Sequence, residues 1–287
     1  MAKNNQVQTI AIINPGAMGI SVAATMKNSG YAVLWAADGR SEQSQERAAE
    51  HGLTDVGTMA ELFGRSQVIV SVCPPHAAED VAEQALASGF QGLFLDANAV
   101  AVEKAQRIGR KMNAAGCTFV DGSIIGGPAW EPGRTWLYLS GAEAESLLPF
   151  FAAGPLQTEI CGPEIGQASA LKMMFASYTK GLTALKAVTL AGADSLGVRP
   201  ALEKQWARYW PDFSEETQHS VRRVTAKAWR FEGEMHEIAA TFEGAGLPAG
   251  FHQAAAEIYR RMAGFKDAQE MPGLEEVLAA LANRSKS

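Results

Sequence analysis

The sequence predicts an α/β protein in which a long helix joins an N-terminal doubly wound parallel sheet to an all-helical second domain. In the first half, short and almost entirely apolar runs alternate with helical patterns, which is typical of a parallel sheet buried on both faces. Beyond Pro200 only helical patterns occur, separated by Pro and Gly. Residues 165–196 between them read as one helix of about 45 Å at ~1.5 Å per residue. We therefore expect domains at residues 1–162 and 163–287.

The individual elements follow from apolar periodicity and from the residues that begin and end helices. Strands are predicted at residues 7–13, 31–36, 67–72, 92–96, 118–121, 136–139 and 157–161. Helices of the first domain are predicted at residues 17–28, 41–51, 59–63, 77–88, 102–115 and 143–152. Gly30 ends the first of these helices, and Ser41 is the expected N-cap of the second. Helices of the second domain are predicted at residues 202–210, 215–242, 248–262 and 274–282.

Composition narrows the function classes. The 287 residues are 47% hydrophobic and 20% charged, as in an ordinary globular protein, and the net charge of −6 argues against non-specific nucleic-acid binding. We find no secretory signal and no apolar run long enough to span a bilayer, so a cytoplasmic protein is expected. The three cysteines are widely spaced, which fits reduced thiols, and no His, Cys or carboxylate spacing predicts a metal site.

The segment that ends the first strand predicts a dinucleotide-binding turn of the Rossmann type. It reads Asn14-Pro15-Gly16-Ala17-Met18-Gly19, directly between a strand and a helix. Two of the three glycines of the G-x-G-x-x-G pattern are present, and such a turn holds a pyrophosphate at the helix N-terminus. Asn replaces the first glycine and tolerates the left-handed conformation better than most residues. Pro15 removes one N–H group. An ordinary strand-to-helix turn is the alternative interpretation.

Three motifs resemble one family. Gly16-Ala-Met-Gly19, Asp121-Gly-Ser-Ile-Ile-Gly-Gly127 and Gly166-Gln-Ala-Ser-Ala-Leu-Lys172 occur in the order and spacing of the β-hydroxyacid dehydrogenase and 6-phosphogluconate dehydrogenase superfamily. Residues 227–235 and 246–252 resemble its branch with a C-terminal domain of unknown function, and imine reductases share the architecture. The resemblance implies an NAD(P)-dependent oxidoreductase acting on a small molecule, with a cleft between the domains and a homodimer formed through the helical domain.

The sequence also departs from the family pattern. Ile125 occupies the position of the family's loop serine, and Phe175 and Ala176 occupy those of its two asparagines. These polar groups anchor a substrate carboxylate in the family. We therefore expect an uncharged or bulkier substrate, such as a ketone, alcohol or imine with an apolar body.

Lys172 is the expected proton relay. On a helix it shares a face with Ser169, Ala176 and Thr179. A closed apolar cleft would disfavour the charged form of a lysine, which suits acid–base chemistry. The alternative is a lysine that solvates an exposed helix face.

The turn after the second strand determines the cofactor. Asp38 stands where an acid could hold the ribose 2′-hydroxyl of NAD, whereas Arg40 and Ser41 suit the 2′-phosphate of NADP. NADP-dependent members of the family place an Arg and a hydroxyl residue at this turn. NADP is therefore expected, with NAD possible.

The remaining site predictions follow the family. Near the cofactor we expect the residues of two strand-end loops, Cys73, Pro74, Pro75 and Asn98. Near the substrate we expect Ser123, Gly126, Gly127, Ser169, Phe175, Ala176 and Thr179.

Three functional hypotheses stay open. The first is an NADP-dependent enzyme that acts on a hydroxy or carbonyl compound, and the second is an imine reductase. The third is a non-catalytic dinucleotide-binding protein, which the lost Ser and Asn favour and the retained Lys172 opposes.

Overall fold

The computed structural model describes residues 9–266 and 268–283. The described chain divides into two compact units, one up to Lys172 and the other from Met173 onward. The first unit contains the sheet. Its strands are β1 (Ile10–Ile12), β2 (Val33–Trp35), β3 (Thr54–Asp55), β4 (Val68–Ser71), β5 (Leu93–Asp96), β6 (Thr118–Ile125), β7 (Trp136–Ser140) and β8 (Gln157–Gly162).

Helices accompany the strands through the first unit and make up the second. They are α1 (Ala17–Asn28), α2 (Glu42–Glu50), α3 (Met59–Arg65), α4 (Ala78–Ala87), α5 (Val102–Ala114), α6 (Gln167–Ser195), α7 (Arg199–Tyr209), α8 (Phe213–Val224), α9 (Ala228–Gly244), α10 (Gly250–Met262) and α11 (Leu274–Leu281). Short 3-10 helices span Pro75–Ala77, Ala144–Phe151, Thr225–Lys227 and Ala263–Phe265. None of the described helices combines the length and the apolar character that crossing a membrane requires.

Two helix predictions were wrong in detail. The helix expected at residues 143–152 is a 3-10 helix, and it contains Pro149, which cannot donate an α-helical hydrogen bond. The single helix expected at residues 215–242 is broken between α8 and α9 by a 3-10 turn. There the Thr225 hydroxyl donates to the Arg222 carbonyl oxygen at 2.7 Å, a local bond that competes with the helical ladder.

The sheet is doubly wound, as predicted. Its strand order is β3-β2-β1-β4-β5-β6-β7-β8, and all neighbouring pairs are parallel except β6 and β7. The chain reverses its direction of winding between β1 and β4, and ligands of such sheets bind outside the carboxyl ends of the strands at this point. The turn after β1 therefore begins at the topological switch point.

Each face of the sheet carries its own apolar core. Ile10 and Ile12 of β1 pack on one side with Val22 and Met26 of α1, whereas Ile13 packs on the other. The second core also contains apolar residues of α4 and α5. Burial on both faces explains why the strands are almost continuously apolar in sequence.

In the second unit, α9 and α10 pack against each other. Their buried residues include Met235, Ile238 and Tyr259. His252 lies among aromatic rings, with its ring centre 4.3 Å from that of Phe242.

Candidate functional site

The glycine turn joins β1 to α1 as the sequence predicts. Gly16 is the N-cap of α1, with an extended backbone, and Pro15 is buried behind it. Ala17 is exposed, and Met18 packs against the first core. The reason we gave for Asn14 was wrong. Among the described residues, Asn283 is the only non-glycine with a positive φ, so the turn needs no left-handed residue in place of the first glycine.

The two glycines of the turn serve different purposes. A Cβ atom on Gly19 would lie 1.9 Å from the carbonyl oxygen of Asn14, so only glycine allows α1 to pass this close to the end of β1. A Cβ atom on Gly16 would meet no atom nearer than the Asn14 amide at 3.6 Å. The packing of the protein thus requires Gly19 but not Gly16. The open space at Gly16 is a cradle at a helix N-terminus, which fits a pyrophosphate.

The turn after β2 brings Arg40 to the glycine turn. One guanidinium nitrogen of Arg40 donates to the Ile13 carbonyl oxygen at 3.3 Å, whereas its Nε is buried and has no acceptor. Asp38 is exposed. The Ser41 hydroxyl accepts from the Ser44 amide, which confirms Ser41 as the N-cap of α2.

A polar network holds the loops that follow β4 and β5. The Asn98 side chain accepts from the Cys73 amide and donates to Asp96 Oδ1 and, at 3.1 Å, to the Ser71 hydroxyl. Burial, together with the nearby Asp96 carboxyl, raises the pKa of the Cys73 thiol to about 11, so it stays protonated at neutral pH. Of the next two residues, Pro74 is exposed and Pro75 is half-buried. Because the Asn98 amide is occupied inside the protein, its direct contact with a cofactor stays a prediction.

Lys172 is tied to the end of the sheet. Its Nζ donates to the carbonyl oxygen of Ile124 in β6 at 2.8 Å, and the side chain is half-buried. The start of α6, about one turn before Lys172, is capped by the buried Asp121 carboxylate. This carboxylate accepts hydrogen bonds from the amides of Gly166 and Ser169, each at 3.0 Å. The lysine is therefore held at the carboxyl edge of the sheet and does not extend from an exposed helix face.

The motif that follows Asp121 is a strand and not the loop that we expected. β6 continues to Ile125 because its second half pairs with the antiparallel β7. Ser123 is buried in this strand, and its hydroxyl has no hydrogen-bond partner. Gly126 has a φ of +128°, and a Cβ atom there would lie 2.4 Å from the Arg134 carbonyl oxygen, whereas Gly127 has open space at the same position. Gly126 thus shapes the β6–β7 connection.

The other substrate candidates lie along α6. The Ser169 hydroxyl donates to Asp121 at 2.6 Å, and the Thr179 hydroxyl donates to the Phe175 carbonyl oxygen at 3.0 Å. Ala176 is buried, and the Phe175 side chain is exposed. Both hydroxyls have partners within the protein, so the substrate contacts of these four residues stay predictions.

Sequence reasoning missed the buried carboxyl groups of Asp96 and Asp121 as parts of the site. Each ends an apolar run that was correctly read as a strand, and a polar residue at that point was the available signal. In the part of the chain that the structure describes, no three His, Cys, Asp or Glu side chains are grouped so as to hold a metal ion.

The fold and the glycine turn are those of a Rossmann-type dinucleotide-binding domain followed by a helical region. Residues 9–149 match the NAD binding domain of 6-phosphogluconate dehydrogenase, and residues 193–262 match a domain of unknown function. These matches confirm the resemblance drawn from the sequence, for both the superfamily and its C-terminal domain.

One curated relative is an uncharacterized 28.5 kDa protein of Methanothermus fervidus, encoded in the 7S RNA 5′ region. It is 27% identical over 160 residues, which cover 56% of this chain and 61% of the relative. The chain thus spans about six-tenths of the length of the curated relative that it matches.

Several solved structures share the fold along nearly their whole length. A conserved hypothetical protein of Sinorhizobium meliloti 1021 is 24% identical, with a TM-score of 0.72 and 98% of both chains covered. A Mycobacterium tuberculosis 3-hydroxyisobutyrate dehydrogenase with L-serine is 18% identical, with a TM-score of 0.68, covering 97% of this chain and 99% of that one. A reductive aminase of Aspergillus terreus with NADPH and ethyl levulinate is 17% identical, with a TM-score of 0.57, covering 95% and 99%. At these identities the likenesses establish the fold alone.

Proposed function

We propose that the protein is an NADP-dependent oxidoreductase that transfers a hydride between NADP(H) and a small hydroxy or carbonyl compound. The observation that carries this proposal is the glycine turn at the switch point of the sheet, where Gly19 is required by packing and Gly16 leaves an open cradle. The N-terminus of α1 supplies N–H groups and a positive dipole for the phosphates. When bound, the cofactor would supply the hydride in reduction and accept it in oxidation, and the protein supplies orientation and gives or takes the proton.

Lys172 is the residue that we assign to the proton. Its Nζ is held by the Ile124 carbonyl oxygen at the carboxyl edge of the sheet, and it would deliver a proton to the substrate oxygen or nitrogen, or take one from it. The buried Ser123 hydroxyl, one residue before Ile124, has no partner in the protein. An unsatisfied buried hydroxyl is costly, so a polar group of the cofactor or substrate is its proposed partner.

The substrate is proposed to be uncharged and partly apolar. A buried carboxylate needs a bidentate Arg or several donors, and Ile125 and Ala176 stand where the family has Ser and Asn. A panel of ketones, alcohols and imines, each matched with its carboxylated counterpart and tested with both cofactors, decides the question. We expect a higher kcat/KM for the uncharged members. A preference of about tenfold for the acids, ~1.4 kcal/mol, would overturn this substrate class.

The same panel separates the competing functions. Imine reduction is the second candidate, because the missing carboxylate anchors would favour a neutral imine as much as a ketone. Turnover of imines alone would replace the carbonyl substrate in the proposal. Tight NADPH binding without turnover of any member would favour the non-catalytic protein.

The cofactor preference is proposed to depend on Arg40. Its Nε is buried without an acceptor beside the glycine turn, and a 2′-phosphate would provide one. Because a charged hydrogen bond contributes ~1.5–3 kcal/mol, Arg40→Ala should weaken NADPH binding by about 10- to 100-fold and NADH binding much less. Fluorescence titration of wild type and variant with both cofactors measures this. Equal losses for the two cofactors would reject the assignment and make Asp38 the specificity residue.

We further propose a homodimer formed through the helical unit. Exposed apolar side chains repeat along one face of α6, as expected for an unpaired helix surface. They are Met174, Phe175, Tyr178, Leu182 and Leu185. The native molar mass tests this, since the mass of a single 30.5 kDa chain would contradict it.

Two further expectations stay proposals. The domain boundary is proposed at Gly162. A cytoplasmic location is proposed because Cys73, Cys117 and Cys161 are all free thiols, as in a reducing compartment.

A further inference from the structure

Four buried polar side chains form a row across four neighbouring strands. Ser71 of β4 pairs in register with Asp96 of β5, Asp96 with Asp121 of β6, and Asp121 with Ser140 of β7. Each of the four side chains is at most 1% exposed. Side chains in register lie side by side on one face of a sheet, so the row is continuous over the four strands. We call these residues the polar row.

One end of the polar row holds the beginning of α6. Asp121 accepts four hydrogen bonds, from the amides of Gly166 and Ser169 and from the hydroxyls of Ser169 and Ser140. The Ser140 hydroxyl in turn accepts from the Ala168 amide at 3.0 Å. The amides of Gly166, Ala168 and Ser169 at the start of α6 are therefore satisfied by side chains of the sheet. A helix end fixed in this way leaves little freedom to the lysine one turn further along.

The other end of the polar row holds the loops after β4 and β5. Asp96 Oδ1 accepts from both the backbone and the side chain of Asn98, and Ser71 accepts from the same side-chain amide. These bonds orient the Asn98 oxygen toward the Cys73 amide, which donates to it. The loop of Cys73 is thus anchored to the same row as α6.

The two carboxyl groups at the centre do not share the charge equally. Burial raises the pKa of both, that of Asp96 to about 7, and the neighbouring Asp121 charge adds to the effect at Asp96. The hydrogen bonds from Asn98 and, to a smaller extent, the charge of Lys104 on α5 lower the pKa of Asp96. Asp121 accepts four hydrogen bonds, whereas Asp96 accepts two, both at Oδ1 and both from Asn98, and its Oδ2 is buried with no partner. The four donors therefore favour the negative charge on Asp121, and below pH 7 Asp96 is mostly protonated.

We propose that Asp121 is a positioning residue for Lys172, and that the polar row fixes the lysine relative to the loop of Cys73 and Asn98. Asp121 acts by capping the helix that carries the lysine, while Ile124 of the same strand receives the Nζ hydrogen bond. The expected effect of Asp121 on turnover rests on the proposed function. Its expected effect on the stability of the α6 N-terminus and of the Cys73 loop does not.

Hydrogen exchange tests the mechanical part in the full chain. Asp121→Asn replaces the charged acceptor by a neutral amide whose NH₂ group faces N–H donors. We expect exchange to accelerate by about tenfold or more at residues 166–172 and also in the peptides containing Cys73 and Asn98. Ser140→Ala removes one donor to Asp121 and the acceptor of the Ala168 amide, and it should accelerate exchange in the same peptides by a smaller factor.

Asp96→Asn is the matched control at pH 6, below the pKa of about 7 of Asp96, because there it replaces a protonated acid by a neutral amide on the same row. It should change exchange at residues 166–172 by less than about twofold. Equal acceleration by Asp96→Asn and Asp121→Asn would overturn the assignment of the charge. Acceleration confined to residues 166–169 would overturn the link to the Cys73 loop.

A double-mutant cycle tests the catalytic part. Asp121→Asn should lower kcat by about tenfold while leaving the NADPH dissociation constant within about twofold, and this loss should vanish in a Lys172→Met background. Additive losses would show that Asp121 does not act through the lysine. If the wild type turns over no substrate, the proposed function fails. The hydrogen-exchange results then still test whether Asp121 holds residues 166–172 and the loop of Cys73.

Discussion

Replacing Lys172 by Met should lower turnover by ~10²–10⁴, the usual loss when a general acid or base is removed. Met retains the length and the helix propensity of the lysine stem but cannot carry a proton. The Ile124 carbonyl oxygen loses one hydrogen bond, so the free energy of unfolding should fall by only about 1 kcal/mol. Steady-state kinetics on the best substrate of the panel, together with NADPH titration, measures the effect.

Lys186→Met is the control for this experiment. Lys186 lies on the same helix, where its Nζ is 5.4 Å from the ring centre of Phe213, and it has no place in the proposed site. This variant should keep kcat close to that of the wild type. Near-normal turnover in Lys172→Met would show that the proton comes from another group.

Gly19→Ala should destabilise the protein strongly. The added Cβ would lie 1.9 Å from a backbone oxygen, and neither α1 nor the end of β1 can yield without disturbing a buried core. Overpacking of this kind costs typically 1–3 kcal/mol and occasionally more, and we expect about 3 kcal/mol or more here. The midpoint of thermal unfolding should fall by about 6–12 °C.

Gly16→Ala provides the contrast three residues earlier. Its φ of −68° suits any residue, and the nearest atom to the new Cβ is 3.6 Å away. Thermal unfolding should therefore change by less than about 2 °C. The Cβ would nevertheless enter the cradle, so NADPH affinity should fall by about tenfold or more. A variant that binds NADPH as well as wild type would mean that the pyrophosphate does not lie at this turn.

Features set by local chemistry were predicted correctly from the sequence. Gly30 has a φ of +91° after α1, and Ser41 caps α2, because these positions depend only on the backbone within a few residues. The parallel sheet followed from apolar runs, since strands covered on both faces have few polar positions. The turn at Gly16 and Gly19 was also predicted correctly, because Gly19 is required by a contact with Asn14, only five residues earlier.

Features that depend on strand pairing came only from the tertiary structure. β3 is two exposed residues with no apolar pattern, and it exists because β2 offers them hydrogen bonds. β6 extends to Ile125 because β7 returns beside it, which converts an expected loop into a strand.

The polar row shows most directly what the sequence cannot predict by itself. By itself, the sequence predicted strands that contain Ser71, Asp96 and Asp121, and it placed Lys172 after a glycine motif. It could not show that these residues and Ser140 lie side by side, because register is decided by the pairing of strands that are distant along the chain. Which carboxyl group keeps its charge was decided by donors from α6, and these approach Asp121 only once the chain has folded.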